Sequence, residues 1–187
     1  GRVVFGIILG TGCGGGLVVN RQLIVGPNAI TGEWGHNPLP GYDPALDGPS
    51  QPCYCGRDNC IERFVSGTGF AGRFVERHGR GLSPIGIITA AAEGDVEAEA
   101  HYDHFIQALA RSVASLINVL DPDVIVLGGG LSNIDRLYLD LPQALTPYLF
   151  SDRCITPMVP ARYGDSSGVR GAAWLPSCVE GATTWAI

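Results

Sequence analysis

A chain of 187 residues with 45% hydrophobic side chains is long enough for one domain with a sizeable core, and a formal charge of −6 argues against broad nucleic-acid binding. It has no run of about 18 apolar residues, so no membrane-spanning helix is expected. No basic stretch leads into an apolar one in the manner of a secretory signal. All 12 basic residues are arginine, which excludes a P-loop lysine or a Schiff-base lysine within this chain.

Val3 to Leu9 is a continuous apolar run, as in a strand covered on both faces. Gly10-Thr-Gly-Cys-Gly-Gly-Gly16 follows it. Leu17 to Val19 and Leu23 to Val25 flank Asn20-Arg21-Gln22, a hairpin turn. Residues 26–59 are rich in Gly and Pro with few periodic apolar positions, so a long irregular segment is expected there. Ser66 caps a helix reaching Val75, and Pro84 and Gly94 bracket a shorter one. Asp95 caps a long helix to about Leu120, on which Tyr102, Phe105, Ile106, Leu109, Val113, Leu116, Ile117 and Leu120 keep helical spacing. Asp121-Pro-Asp123 breaks it. Val124 to Leu127 is a second buried strand, followed directly by Gly128-Gly-Gly130. A helix from about Ile134, a strand near Ile155 to Val159 and a helix from about Ser167 to Leu175 complete the order, an α/β alternation. The chain starts on a strand with no preceding initiator methionine, which reads as a piece of a longer protein.

The densest cluster of chemistry lies in the irregular segment. Gly32-Glu-Trp-Gly-His36 precedes Cys53-Tyr-Cys-Gly-Arg-Asp-Asn-Cys60, and Glu62 follows. His36, Cys53, Cys55 and Cys60 make a complete Cys₃His tetrahedron for structural zinc, with no position left open for a catalytic water. Cys53 and Cys55 are too close to bridge each other comfortably, although a redox pair and unliganded thiols stay open as alternatives. Glu33 and Glu62, beside the ligands, are carboxylates that such a knot would place for a polyhydroxylated ligand. Cys13, Cys154 and Cys178 read as small buried hydrophobes; His78, His101 and His104 read as surface residues. The Gly10–Gly16 and Gly128–Gly130 clusters each follow a strand, where glycine lets backbone N–H groups approach phosphate, and Thr11 adds a hydroxyl. Close packing or a plain turn explains the same glycines without a ligand.

Together these motifs resemble the ROK family of repressors and sugar kinases, over about Val3 to Leu175, with Gly32-Glu-Trp-Gly-His36 and Cys53-x-Cys-x₄-Cys60-x-Glu62 the most specific parts. Gly35-His-Asn-Pro-Leu-Pro40, Ser66-Gly-Thr-Gly-Phe70 and Gly164-Asp-Ser-Ser-Gly-Val-Arg-Gly-Ala-Ala-Trp174 resemble its bacterial fructokinases most. The resemblance implies the C-terminal lobe of an actin-like, ribonuclease H-like ATPase: a mixed sheet flanked by helices, with a zinc segment at about 33–62. It implies a cytoplasmic, homo-oligomeric, ATP-dependent hexose kinase, with fructose the first choice of sugar and N-acetylglucosamine or glucose the alternatives. Gly10, Thr11, Gly12, Gly14, Gly15 and Gly16 would form a phosphate loop, and Gly128, Gly129 and Gly130 would lie against adenosine. Glu33, His36 and Glu62 would bind the sugar, and Mg²⁺ would accompany ATP. The base aspartate and a first phosphate loop would lie in a missing N-terminal lobe, leaving this lobe inactive alone. The sugar-sensing domain of a repressor is the rival within the family. A serine hydrolase built on Gly164-Asp-Ser166-Ser-Gly168 is a third reading, opposed by the absence of any histidine after Ser166.

Overall fold

The structure, a computed structural model, describes residues 1–165 and Gly168. Apart from Gly168, the expected helix from Ser167 to Leu175 lies outside the described residues, as do Ser166 and Cys178. Strand β1 (Val3–Leu9) pairs antiparallel with β2 (Cys13–Val19), which pairs with the short β3 (Gln22–Leu23). On its other side β1 runs parallel to β4 (Val124–Gly128), and β4 to β5 (Met158–Pro160), giving a mixed sheet in the order β3-β2-β1-β4-β5. Asn20 and Arg21 both adopt positive φ, 51° and 68°, as the tight hairpin between β2 and β3 requires.

Among the described residues the helices are α1 (Pro44–Asp47), α2 (Glu62–Val65), α3 (Gly67–His78), α4 (Pro84–Ala92), α5 (Val96–Leu120) and α6 (Leu137–Leu145). Helices α3 to α6 lie where sequence signals put helices, whereas the single-turn α1 and α2 are unexpected, α1 falling in the segment read as irregular. The Asp95 carboxylate accepts from the N–H groups of Glu97 and Ala98 at 3.0 and 3.1 Å, and Asp121 closes α5 in the left-handed region at φ 40°. Helix α3 runs three residues past the expected Val75, to His78, before Gly79 stops it at φ 67°. The expected helix at Ile134 begins later, because Gly130–Asn133 first makes a 3₁₀ turn.

The core lies between one face of the sheet and α5. Phe5, Ile7 and Leu9 point into it from β1, Ile125 and Leu127 from β4, and Tyr102, Phe105, Leu109 and Val113 from α5. The reading of β1 as covered on both faces is corrected here. Ile8, on the opposite face, is 36% exposed because that face looks into an open cleft. The reading of His101 as a surface residue is corrected too. It is 4% exposed between α3 and α5, with Nε2 2.8 Å from the Phe70 carbonyl and its ring stacked on Phe70. A carbonyl only accepts, so Nε2 carries the hydrogen. Burial pulls its pKa down to about 4. His104 is exposed as expected, while His78 is half-buried against Phe74.

Candidate functional site

Two regions concern function. The first, a cavity of about 900 Å³, opens where β1 and β4 end. Its wall combines Ile8, Gly10 and Thr11 after β1 with Gly129, Gly130 and Leu131 after β4. The first turns of two helices complete it, Gly67 and Thr68 of α3 and Pro84 and Ile85 of α4. Ser66 and Ser83 cap these helices, accepting from Gly69 and Gly86 N–H at 3.0 and 3.1 Å. Largely apolar walls of this size suit a nucleotide-sized ligand, and helix N-termini favour the negative charge of its phosphates.

The two glycine clusters divide by position. Gly129, at φ 82°, lets the turn after β4 touch the end of β1; a β-carbon there would lie 2.5 Å from the Leu9 carbonyl carbon. Gly130 meets nothing and faces the cavity. Gly10 and Thr11 border the cavity, and no acceptor among the described residues takes the N–H groups of Thr11 and Gly12. Gly14, Gly15 and Gly16, expected in the same loop, instead lie inside strand β2, paired with Ile8, Ile7 and Gly6. The reason is steric as well as topological: a β-carbon on Gly15 would lie 2.7 Å from Gly6 O. Gly128 ends β4, packed on Ile8.

The second region is the cysteine segment. Glu33–His36 forms one 3₁₀ turn, entered through Gly32 at φ 97°, with Trp34 buried beneath β2 and its Nε1 donating to Gly14 O at 3.0 Å. Pro38 bridges to Cys60 and Pro52 to Asp58, so residues 37–61 fold back as two nested loops. Gly56, at φ 85°, closes the turn between Cys53 and Arg57. One ligand atom each from His36, Cys53, Cys55 and Cys60 lies within 4.8 Å of all the others. His36 Nδ1 is 3.5 Å from Cys53 Sγ, and Cys55 Sγ is 3.5 Å from Cys60 Sγ. These separations fit the edges of a Cys₃His tetrahedron around a metal and are too long for a disulfide. The Arg57 backbone hydrogen bond, ahead of the other ligands, draws the Cys55 thiol down to about 7, towards the thiolate a metal needs. Burial pushes Cys60 the other way. Cys13, expected to be buried, is 5% exposed, and burial, with Glu62 nearby, raises its thiol further.

The carboxylates flank this cluster. Glu33 Oε2 is 4.0 Å from His36 Nε2. That nitrogen also lies 2.8 Å from the hydroxyl of Tyr54, so the imidazole already has a protein partner on its second edge, which sequence reasoning missed. Glu62 begins α2 and its Oε2 accepts from Cys13 N–H at 2.8 Å, directly behind the Gly10–Gly12 turn. Arg111 of α5 is a further anchor with no motif to reveal it. Its NH1 donates to Pro40 O at 3.1 Å and Gly41 O at 2.8 Å, and its guanidinium pairs with the buried Asp47.

A mixed sheet flanked by helices, with its cavity at the strand ends, defines an actin-like ATPase lobe. The chain belongs to the ROK family, whose model matches residues 2–178. It is 44% identical over 175 residues to an N-acetyl-D-glucosamine kinase of Yersinia pseudotuberculosis, an alignment covering 92% of this chain and 58% of that protein. It superposes on a ROK hexokinase from Thermus thermophilus with TM-score 0.79 at 26% identity, covering 96% of this chain and 59% of that one. A ROK family glucokinase from Streptomyces griseus, solved with glucose and AMPPNP, gives TM-score 0.78 at 25% identity, covering 93% and 60%. The chain therefore spans about 58% of the length of the curated relative it matches. No helix among the described residues is long and apolar enough to cross a membrane.

Proposed function

We propose that this chain forms the nucleotide-binding and sugar-binding lobe of an ATP-dependent hexose kinase. One observation carries the reading: a single turn, Gly10–Gly12, borders the 900 Å³ cavity on one side and backs the Glu62 carboxylate on the other. In this reading the N–H groups of Thr11 and Gly12 take phosphate oxygens of Mg²⁺-ATP, and Gly129 and Gly130 lie along the adenosine. Glu33 and Glu62 accept hydrogen bonds from sugar hydroxyls, and His36 Nε2 exchanges Tyr54 for a sugar oxygen. Phosphoryl transfer depends on positioning and electrostatics more than on covalent chemistry, so the lobe contributes by holding both substrates in line.

The names of the relatives favour N-acetyl-D-glucosamine as the acceptor. Fructose, the first choice from the sequence resemblance, has no such support. His36, Cys53, Cys55 and Cys60 are assigned to zinc, which supplies structure and orients Glu33 and Glu62. The base is assigned to a complementary lobe, so these 187 residues alone should not turn over sugar.

The test is a coupled ADP-release assay on the full-length gene product and on the 187-residue chain, with N-acetyl-D-glucosamine, glucose, mannose and fructose. The expected result is turnover by the full-length product only, fastest with N-acetyl-D-glucosamine. Sugar binding without ADP release from the full-length product would instead favour a sugar-sensing regulator.

A further inference from the structure

The Gly10–Gly12 turn and the residue after it touch Glu62 of the proposed sugar site and, through Gly35, the 3₁₀ turn that carries Glu33 and His36. Cys13 N–H holds Glu62 Oε2 at 2.8 Å. Gly35, one residue before His36, lies against the same residue from the other side, since a β-carbon on it would stand 2.1 Å from Cys13 O. Gly12 has a more specific relation to the carboxylate. A β-carbon there would lie 2.7 Å from Glu62 Oε2 and 3.6 Å from its Cδ, and among the described residues nothing else comes within 4 Å. The only atoms an added methyl would displace are the far end of one flexible side chain. Gly12 is therefore not needed to let the backbone pack. It leaves the space that lets Glu62 reach the Cys13 N–H.

We infer that Gly12 is a positioning residue for the sugar, acting through Glu62, although it sits in the turn that faces the nucleotide. The inference rests on the sugar-kinase reading of Glu62. Ordinary carbon–oxygen contact needs well over 3 Å, so an alanine at residue 12 pushes the carboxylate off its hydrogen bond and out of register with the hydroxyls it accepts from. A charge-assisted hydrogen bond of this kind is strong and directional, so its loss falls on sugar affinity. The phosphate-facing edge of the turn keeps its backbone.

Steady-state kinetics on the full-length gene product decide the matter. Wild-type protein that releases no ADP with any of the four hexoses defeats the kinase reading itself. Given turnover, Gly12→Ala should raise the sugar KM about tenfold or more, in line with a lost charged hydrogen bond. The rise in sugar KM should exceed any rise in ATP KM, measured at saturating sugar, by at least about fivefold, with the thermal midpoint close to wild type. Glu62→Asp shortens the carboxylate arm by one methylene, so in the Gly12→Ala background it should cost less than it does alone. A purely structural defect would not produce that rescue. An unchanged sugar KM, an equal rise in both KM values, or a Gly12→Ala protein that fails to fold overturns the inference. A separate measurement needs no Gly12 variant: in Glu62→Ala the Cys13 amide should exchange with deuterium about tenfold faster or more. Unchanged exchange there overturns the inference as well.

Discussion

The segment from Ile24 to Ile61 and helix α5 are held in place by different physics. The segment buries only Trp34, Leu39, Cys53, Cys60 and Ile61 among its hydrophobic residues, whereas α5 alone buries twelve residues. Helix α5 stands by apolar burial, at roughly 25 cal/mol per Å² removed from water. The segment stands by point attachments: the cluster of three thiols and His36, the loop bridges at Pro38 and Pro52, and the Arg111 guanidinium across Pro40, Gly41 and Asp47. A region fastened at points positions side chains such as Glu33 and His36 without a core beneath them, and it fails when one fastening is removed. A packed helix loses stability in proportion to what is cut from it.

Metal removal is the largest expected effect and the most direct way to break this contrast. Structural zinc contributes on the order of 10 kcal/mol to small zinc domains. Protein purified without chelator should carry close to one zinc per chain. Chelation or Cys60→Ser should make residues 33–62 cleavable by protease and lower their deuterium-exchange protection. Helix α5 should keep its protection. A segment equally protected with and without metal would show that the loop bridges and Arg111 suffice.

The converse experiment cuts the core. Leu109, fully buried in α5, should lose about 2–5 kcal/mol of global stability on change to alanine, read from denaturant midpoints at constant slope. Zinc content should not change. Loss of metal in Leu109→Ala would mean that the two regions unfold as one unit.

His101 adds a pH dependence that belongs to the helical layer alone. Its pKa lies at about 4 in the folded chain against an ordinary 6.5, because burial disfavours the charged ring. Between these values the unfolded chain binds more protons, so its contribution is fully present above about pH 6.5 and is lost as pH falls through 4. The loss amounts to about 3 kcal/mol. His101→Gln keeps a donor for Phe70 O and cannot titrate, so its stability curve should be flatter than wild type from pH 7 to pH 4. Parallel curves would place the acid sensitivity elsewhere.

The smallest effect sharpens the picture at one helix end. Asp95→Ala removes the α5 cap and should cost about 1 kcal/mol, with faster exchange confined to the first turn of α5. It should leave residues 33–62 untouched. Faster exchange reaching that segment would show that fraying of α5 is felt at Arg111.

What the sequence determined by itself is local. Strand β1 runs over Val3–Leu9 as its apolar run indicates, and α5 spans Val96–Leu120 between the cap and the break read from Asp95 and Asp121. The grouping of His36 with Cys53, Cys55 and Cys60 was legible because zinc-ligand spacing is itself a short-range pattern. Each of these signals fits within a few turns of chain. The tertiary structure decided the rest. It opened one face of β1 onto the cavity and drew Gly14–Gly16 into β2. It buried His101 beneath α3, set Arg111 on a carboxylate 64 residues away, and placed Glu62 on an N–H 49 residues away. Composition and periodicity describe what a residue prefers along its own element. Which face stays open, and which donor meets which acceptor, depends on where distant elements come to lie, and short-range pattern carries no record of that path.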